Sequence, residues 1–98
     1  MLEKLTHDDF LKSLHQKYKI HHDGATLEVE LTECRTLPYP GRKGAQRVPF
    51  AVIFRGPLQP VLSQRIYKLE GGSVGSLEIF IVPVGPDAVG MRYEAIFS

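Results

Sequence analysis

The run His21-His22-Asp23 is the best candidate for a metal site in this sequence. Adjacent residues on a strand point to opposite faces, so the two histidines do not readily hold one ion. A zinc site also needs three or four ligands with a settled spacing. Cys34 is the single cysteine and has no CxxC partner. We therefore predict that the protein has no metal site and no cofactor.

Cys34 and the serines are the candidate nucleophiles. A catalytic triad requires a nucleophile, a base and an orienting group that converge in space. Ser73 stands in a GxSxG pattern, GGSVG at residues 71–75, but that pattern marks a nucleophile only on a turn from a strand into a helix, and here the apolar strand-like run SLEIFIVPV follows. A lone cysteine at the end of a strand is more often a small packed apolar residue. We predict no catalytic residue and a protein that is not an enzyme.

The run GGSVGS at residues 71–76 has the composition of a phosphate-binding loop. Such a loop must open onto a helix N-terminus, where free backbone N–H groups meet the phosphate. Here the apolar run SLEIFIVPV follows at once. The pattern therefore indicates a hairpin turn.

The most distinctive candidate surface is the stretch PYPGRKGAQRVP at residues 38–49. Its prolines, glycines and missing hydrophobic period indicate a loop. Arg42, Lys43 and Arg47 give it three positive charges and no negative one, and Tyr39 lies beside them. Such a loop suits an acidic protein partner or, less well, a phosphate backbone. The alternative interpretation is a flexible, solvated loop.

Arg55 is the fifth candidate partner-binding residue. It ends the apolar run FAVIFR and precedes Gly56-Pro57, which turns the chain because proline cannot continue a strand ladder. We interpret this stretch as the end of a strand. The alternative interpretation is that Arg55 points into a groove and pairs with a carboxylate, which is that of Glu78, of Glu94 or of a partner.

The elements that must position these residues begin with a helix predicted over 6–18. Thr6 is a good N-cap, and Asp9 three residues later completes a capping box. Phe10, Leu14 and Tyr18 recur at a spacing of four and form one apolar stripe.

Beyond the helix the hydrophobic period changes from 3.6 to 2, which indicates strands. Asp23-Gly24 is typical of a tight hairpin turn. One helix followed by about six strands with short connections favours a mainly β (α+β) fold, an antiparallel small barrel or two-layer β-domain with the helix at one end or on one face. From its 98 residues we expect one domain. The predicted strands are 17–22, 26–34, 50–55, 65–70, 76–84 and 91–97.

Charge and hydropathy count against several classes of function. Twelve basic and eleven acidic residues leave a net charge of +1, which disfavours nucleic-acid binding. No apolar run reaches the roughly 18 to 20 residues that span a bilayer. The start MLEKLTHDDF has no apolar segment of a signal peptide. We predict a cytoplasmic protein with no membrane partner.

Three segments together resemble a small bacterial family of uncharacterised single-domain proteins: LEKLTHDDF, FRGPLQPVLSQRIYKLE and LEIFIVPVGPDAVGMRYEAIFS. Some members are encoded near phage-tail-collar-like proteins, which implies a structural or accessory part in a phage-derived assembly. The resemblance supplies no catalytic residue. Its residues are mostly turn and core positions and argue for a shared fold more than for a shared chemistry.

Three hypotheses of function follow. The first is a non-catalytic interaction module that binds a protein partner, or itself, through an edge strand at 17–22 or 91–97 or through the basic loop. The second is a small-molecule-binding β-barrel lined by aromatic residues. The third is a nucleic-acid binder of the OB or SH3 kind.

Overall fold

Six antiparallel strands close into a barrel in the computed structural model, which describes residues 5–38, 48–72 and 74–97. The expected mainly β fold is confirmed, in its barrel form. Each strand end lies within two residues of its predicted position. The elements are helix α1 (His7–Leu11) and strands β1 (Lys17–His22), β2 (Ala25–Thr36), β3 (Phe50–Gly56), β4 (Arg65–Gly71), β5 (Gly75–Pro86) and β6 (Met91–Phe97).

The strand order around the barrel is β1-β2-β3-β6-β5-β4. β1 pairs with both β2 and β4, and β6 pairs with both β3 and β5. The expectation that strand 17–22 or strand 91–97 offers a free edge is therefore wrong. Closure is the most complete way for a sheet to remove its edges.

The segment between β3 and β4 connects two strands that are not neighbours in the barrel. Leu62 in this segment is buried, and its backbone N–H donates to the hydroxyl of Tyr93 at 3.0 Å. The hydroxyl of Tyr67 in turn donates to the carbonyl of Ser63 at 2.6 Å. The prolines of GPLQP thus belong to a crossover that is fastened to the barrel by two tyrosines.

Helix α1 is much shorter than the predicted helix 6–18. The capping box is present, since Thr6 N–H donates to Asp9 at 2.8 Å. His15, however, takes a positive φ of 70°, and residues 15 and 16 exchange backbone hydrogen bonds with Leu31. Pairing with β2 thus replaces the helix before Tyr18 is reached. No helix in the described ranges is long and apolar enough to cross a bilayer.

The barrel interior is filled by aromatic and aliphatic side chains. Phe10 of α1 inserts at one end, with ring centroids 5.8 Å from Phe50 and 5.2 Å from Phe97. The helix therefore plugs the barrel and does not cover a face. The largest fully buried side chains are Tyr18, Tyr93, Phe10, Phe50, Phe54, Ile20, Leu31, Leu69 and Ile81.

β3 is apolar on both faces, as its sequence suggests, but the helix does not cover its outer face. Arg35 of β2 and Glu94 of β6 lie on the two strands that flank β3, and their head groups are 3.6 Å apart. The pair spans Ala51 and Ile53, which point outward and are nevertheless buried. The aliphatic stem of an arginine can cover apolar surface in this way.

Candidate functional site

Arg55 lies at the end of β3 and is paired within the chain. Its guanidinium donates to the carboxylate of Asp87 at 2.6 and 2.9 Å. Neither Glu78 nor Glu94 is the partner, so the expected pairing is wrong in its choice of acid. Glu94 pairs instead with Arg35. The role of Arg55 in binding a partner stays a prediction. Its positive charge is already paired with the carboxylate of Asp87.

Four of the five candidate partner-binding residues cannot be placed. Tyr39, Arg42, Lys43 and Arg47 lie outside the described residues. The basic loop therefore stays a prediction from the sequence.

The histidines are engaged singly. His21 lies 2.8 Å from Glu70 across the β1–β4 ladder, and His22 lies 3.9 Å from Asp23. His7 contacts the backbone carbonyl of Cys34 at 3.0 Å. Across residues 5–38, 48–72 and 74–97, no three potential ligands form a cluster that could hold a metal ion.

Cys34 is a poor nucleophile in this setting. Burial and, to a smaller extent, the nearby carboxylate of Asp8 together raise the pKa of its thiol to about 11. The thiol donates to the carbonyl of His7 at 3.4 Å, while the ring of His7 contacts the Cys34 carbonyl. The imidazole is thus engaged with backbone. A thiol of this pKa remains protonated near neutral pH and lacks the reactivity of a thiolate.

Ser13 is buried beneath the hairpin between β4 and β5. Its hydroxyl lies 2.5 Å from the hydroxyl of Tyr18 and donates to the carbonyl of Phe10 at 3.2 Å. Burial raises the pKa of Tyr18, and the Ser13 hydrogen bond opposes part of that rise. This pair satisfies two polar groups inside the core and does not face solvent.

A depression of about 270 Å³ opens at the barrel end where the β1–β2 turn meets the crossover. Arg65 forms its rim. The guanidinium pairs with Asp23 at 3.3 Å and lies 4.9 Å from the centre of the Tyr67 ring. The cation already has an acid and an aromatic ring as partners. This arrangement stabilises the barrel end and leaves little free charge for a ligand.

The outer faces of β1, β2 and β4 carry a lattice of opposite charges. Lys19 lies between Glu28 of β2 and Glu70 of β4 in the two ladders. The hydrogen bond from His21 lowers the pKa of Glu70, which keeps that carboxylate ionised. Such alternation is typical of a solvated surface, because cross-strand pairs of opposite charge stabilise a sheet modestly.

The outer faces of the neighbouring strands β4, β5 and β6 expose large apolar side chains. Ile66 of β4, Phe80 of β5 and Ile96 of β6 are 65%, 50% and 53% exposed. Ile66 and Phe80 are direct cross-strand partners. Continuing the antiparallel register two residues from the Val82–Glu94 pair places Phe80 beside Ile96 on the same outer face. We call Ile66, Phe80 and Ile96 the apolar face.

Alternation in the sequence predicts part of the apolar face. Alternation along RIYKLE places Tyr67 and Leu69 inside and therefore Ile66 outside. The same alternation along β6 places Ile96 outside. That these residues meet around Phe80 depends on the strand order β4-β5-β6, which alternation within one strand does not contain.

Searches of curated proteins and of solved structures find no match to the chain. A family model described as a domain of unknown function, DUF6916, matches residues 5–97. This confirms the resemblance to a family of unknown function. Since the match extends over nearly the whole sequence, the protein belongs to the DUF6916 family.

Proposed function

We propose that this domain is a non-catalytic protein-interaction module that docks through the apolar face. The observation that carries the proposal is three large apolar side chains, each at least half exposed, next to one another on the outer face of one sheet region. Single exposed apolar residues are ordinary, whereas contiguous ones mark interaction surfaces.

The filled interior supports this choice over a small-molecule-binding barrel. Ligand-binding barrels keep an apolar cavity, whereas here Tyr18, Phe54 and Tyr93 occupy the interior and are fully buried. The charged lattice gives no support to a nucleic-acid binder, because Glu28 and Glu30 lie on the same outer face of β2. A site for stacked bases needs exposed aromatic residues beside basic ones.

A photo-reactive amino acid at position 80 tests the proposal. Placed there, it should cross-link a protein that the same group at position 28, on the charged lattice, does not reach. The cross-linked protein is then purified and titrated with the domain. Phe80→Lys should weaken binding at least about tenfold, as loss of a central aromatic contact does. Glu28→Lys is the matched control and should leave the affinity unchanged.

Equal cross-linking from positions 80 and 28 contradicts the proposal. So does binding that survives Phe80→Lys. Thermal melts of both variants exclude loss of folding as the cause, since both positions are exposed.

We further propose that the module is an accessory part of a bacterial phage-tail-like assembly in the cytoplasm. This setting rests on the resemblance of the three segments named above. The identity of the protein cross-linked from position 80 tests it. A tail component or the domain itself supports the setting, and a metabolic enzyme contradicts it.

A further inference from the structure

We infer that β2 keeps an open hydrogen-bonding edge at Thr26 and Glu28, where an extended segment of a partner protein adds as a further strand. This edge is separate from the apolar face, so the inference goes beyond the proposed function. Closing a barrel covers a strand only along the length of its neighbours. β2 has 12 residues, whereas β3 beside it has 7.

The ladder between β2 and β3 stops well short of the end of β2. Its last pair is Glu30 with Arg55, although β2 begins at Ala25. One further hydrogen-bonded step would set Pro57 opposite Glu28, and proline has no N–H to donate. The chain turns away into the crossover at this point. Among the described residues, the first part of β2 therefore has a ladder partner on the β1 side alone.

The backbone groups of Thr26 and Glu28 point to the open side. Leu31 fixes the alternation, because its N–H and C=O both bond to residues 15 and 16, on the β1 side. Successive residues of a strand direct these groups to opposite sides, so the odd-numbered residues of β2 face β1 and the even-numbered ones face away from it. Within the described ranges, no backbone hydrogen bond joins Thr26 or Glu28 to the crossover, and both residues are exposed.

Two N–H and two C=O groups in a row form a template for one more strand. Such an edge binds an extended peptide through main-chain hydrogen bonds, while alternate side chains decide which sequence fits. An antiparallel segment continues the pattern, since β1 and β3 both run antiparallel to β2. Its first paired residue lies opposite Glu28, because Gly56 already packs against Val29. Its third residue lies opposite Thr26.

Glu28 determines the charge that the incoming strand should carry. The next outward acid on β2, Glu30, has Lys17 in register on β1 and Arg55 in register on β3. Glu28 has Lys19 in register on β1 and, within the described chain, no ladder partner on the open side. A lysine or arginine opposite Glu28 completes the same pattern, because opposite charges across a ladder stabilise it.

The same charge argues against a second copy of this chain as the added strand. The pairing that uses the open groups of both copies sets Thr26 opposite Glu28 of the second copy. The two Glu28 residues then lie on a diagonal of the ladder, about 7–8 Å apart, and their carboxylates repel each other. A segment with a base at this position avoids that repulsion.

A peptide, acetyl-Gly-Arg-Val-Thr-Val-amide, tests the inference in an NMR titration of the isotope-labelled chain. The amide signals of Thr26 and Glu28 should shift most. N-methylation of the arginine or of the threonine removes an N–H that bonds to β2 and should weaken binding about tenfold. N-methylation of the valine between them removes an N–H that points away from β2. It should leave the dissociation constant within about twofold.

Variants of the protein separate the charge from the backbone. Glu28→Lys should weaken the arginine peptide about threefold or more and favour a peptide with glutamate in its place. Glu78→Lys makes the same change on β5 and should have no effect. Thr26→Pro removes an N–H on the open side only, a position where a sheet tolerates proline. It should weaken binding about tenfold while the melting temperature stays close to wild type.

Amide hydrogen exchange of the free chain checks the edge itself. Exchange should be fast at Thr26 and Glu28 and slow at Leu27 and Val29, whose N–H groups bond to β1. The peptide should slow exchange at the first pair. Equal protection of all four residues in the free chain would show that the edge is closed, and the inference would then be wrong.

Three titration results also overturn the inference. They are no binding at about 1 mM peptide, equal weakening by all three N-methyl groups, and a concentration-dependent dimer that shifts the signals of Thr26 and Glu28 without peptide. Phe80→Lys should leave peptide binding unchanged. A partner of the edge should be cross-linked from position 28 and not from position 80, so this inference and the proposed function fail independently.

Discussion

Arg55 donates two hydrogen bonds to a single carboxylate oxygen of Asp87, from Nε at 2.9 Å and from Nη2 at 2.6 Å. The other oxygen of Asp87 accepts from the backbone N–H groups of Val89 and Gly90, at 2.8 and 2.9 Å. One side chain thus closes the β5–β6 turn and ties it to the end of β3. The Arg55 bonds, followed by the two backbone bonds, hold the pKa of Asp87 well below its usual range.

Asp87→Asn should lower the melting temperature at neutral pH, because the amide removes the negative charge that Arg55 faces. The folded pKa of Asp87 is depressed, so its contribution is complete above the unfolded pKa of about 3.9 and is lost as the pH falls toward the folded value. The difference in melting temperature between wild type and Asp87→Asn should be constant from about pH 7 to pH 5 and shrink below about pH 4.

Glu78→Gln is the matched control for this experiment. The sequence suggested Glu78 as a partner of Arg55, whereas in the structure Arg55 pairs with Asp87. Its melting temperature should remain close to wild type. A wild-type advantage over Asp87→Asn that is the same at pH 3 and pH 7 would show that the charge of Asp87 does not contribute.

The Arg55–Asp87 pair shows which features local sequence patterns can predict and which they cannot. The residues GPDAVG indicate a turn, and Arg55 stands at a strand end, and both features are present. The partner of Arg55 depends on β6 lying beside β3 and on the register shift between Pro83 and Gly85. Neither is encoded in a local period, so the choice between Asp87 and the other acids needs the folded chain.

The predicted length of the N-terminal helix, residues 6–18, is wrong for a related reason. The spacing of Phe10, Leu14 and Tyr18 satisfies a helical stripe, yet Tyr18 is a strand residue whose burial comes from β1. Hydrogen bonding between residues 15–16 and Leu31 connects parts of the chain that are distant in sequence. Tertiary pairing overrides a short helical pattern, because an isolated helix of this length is marginal.

Gly72→Ala should destabilise the domain by about 2 to 4 kcal/mol. Gly72 has a φ of +58°, and an added Cβ would meet the hydroxyl of Tyr18 and the Oγ of Ser13. Gly75→Ala separates the two effects, since Gly75 has a φ of +78° and open space around it. The control should cost only about 1 kcal/mol, from backbone strain. Urea unfolding measures both, and equal losses would exclude the contact with Tyr18.

Ser13→Ala should cost about 1 to 3 kcal/mol, because it leaves the buried hydroxyl of Tyr18 without its partner. Tyr18→Phe should cost less, since Ser13 keeps its bond to the carbonyl of Phe10. The double variant should therefore be less destabilised than the sum of the two single changes. Unfolding free energies of the four proteins form the test, and strictly additive losses would show that the two hydroxyls do not interact.

Cys34 should react with iodoacetamide at pH 8 about 100-fold more slowly in the folded protein than in urea, because burial and, to a smaller extent, the charge of Asp8 raise its pKa from 9.0 to about 11, and the thiolate is the reactive form. The raised pKa favours the folded state below the unfolded value, and that contribution is lost as the pH rises from about 9 to about 11. Asp8→Asn removes the smaller of the two causes and should speed the native reaction only slightly. Alkylation followed by mass spectrometry gives the rates, and equal rates in buffer and in urea would mean that Cys34 is accessible and ionised as in an unfolded chain.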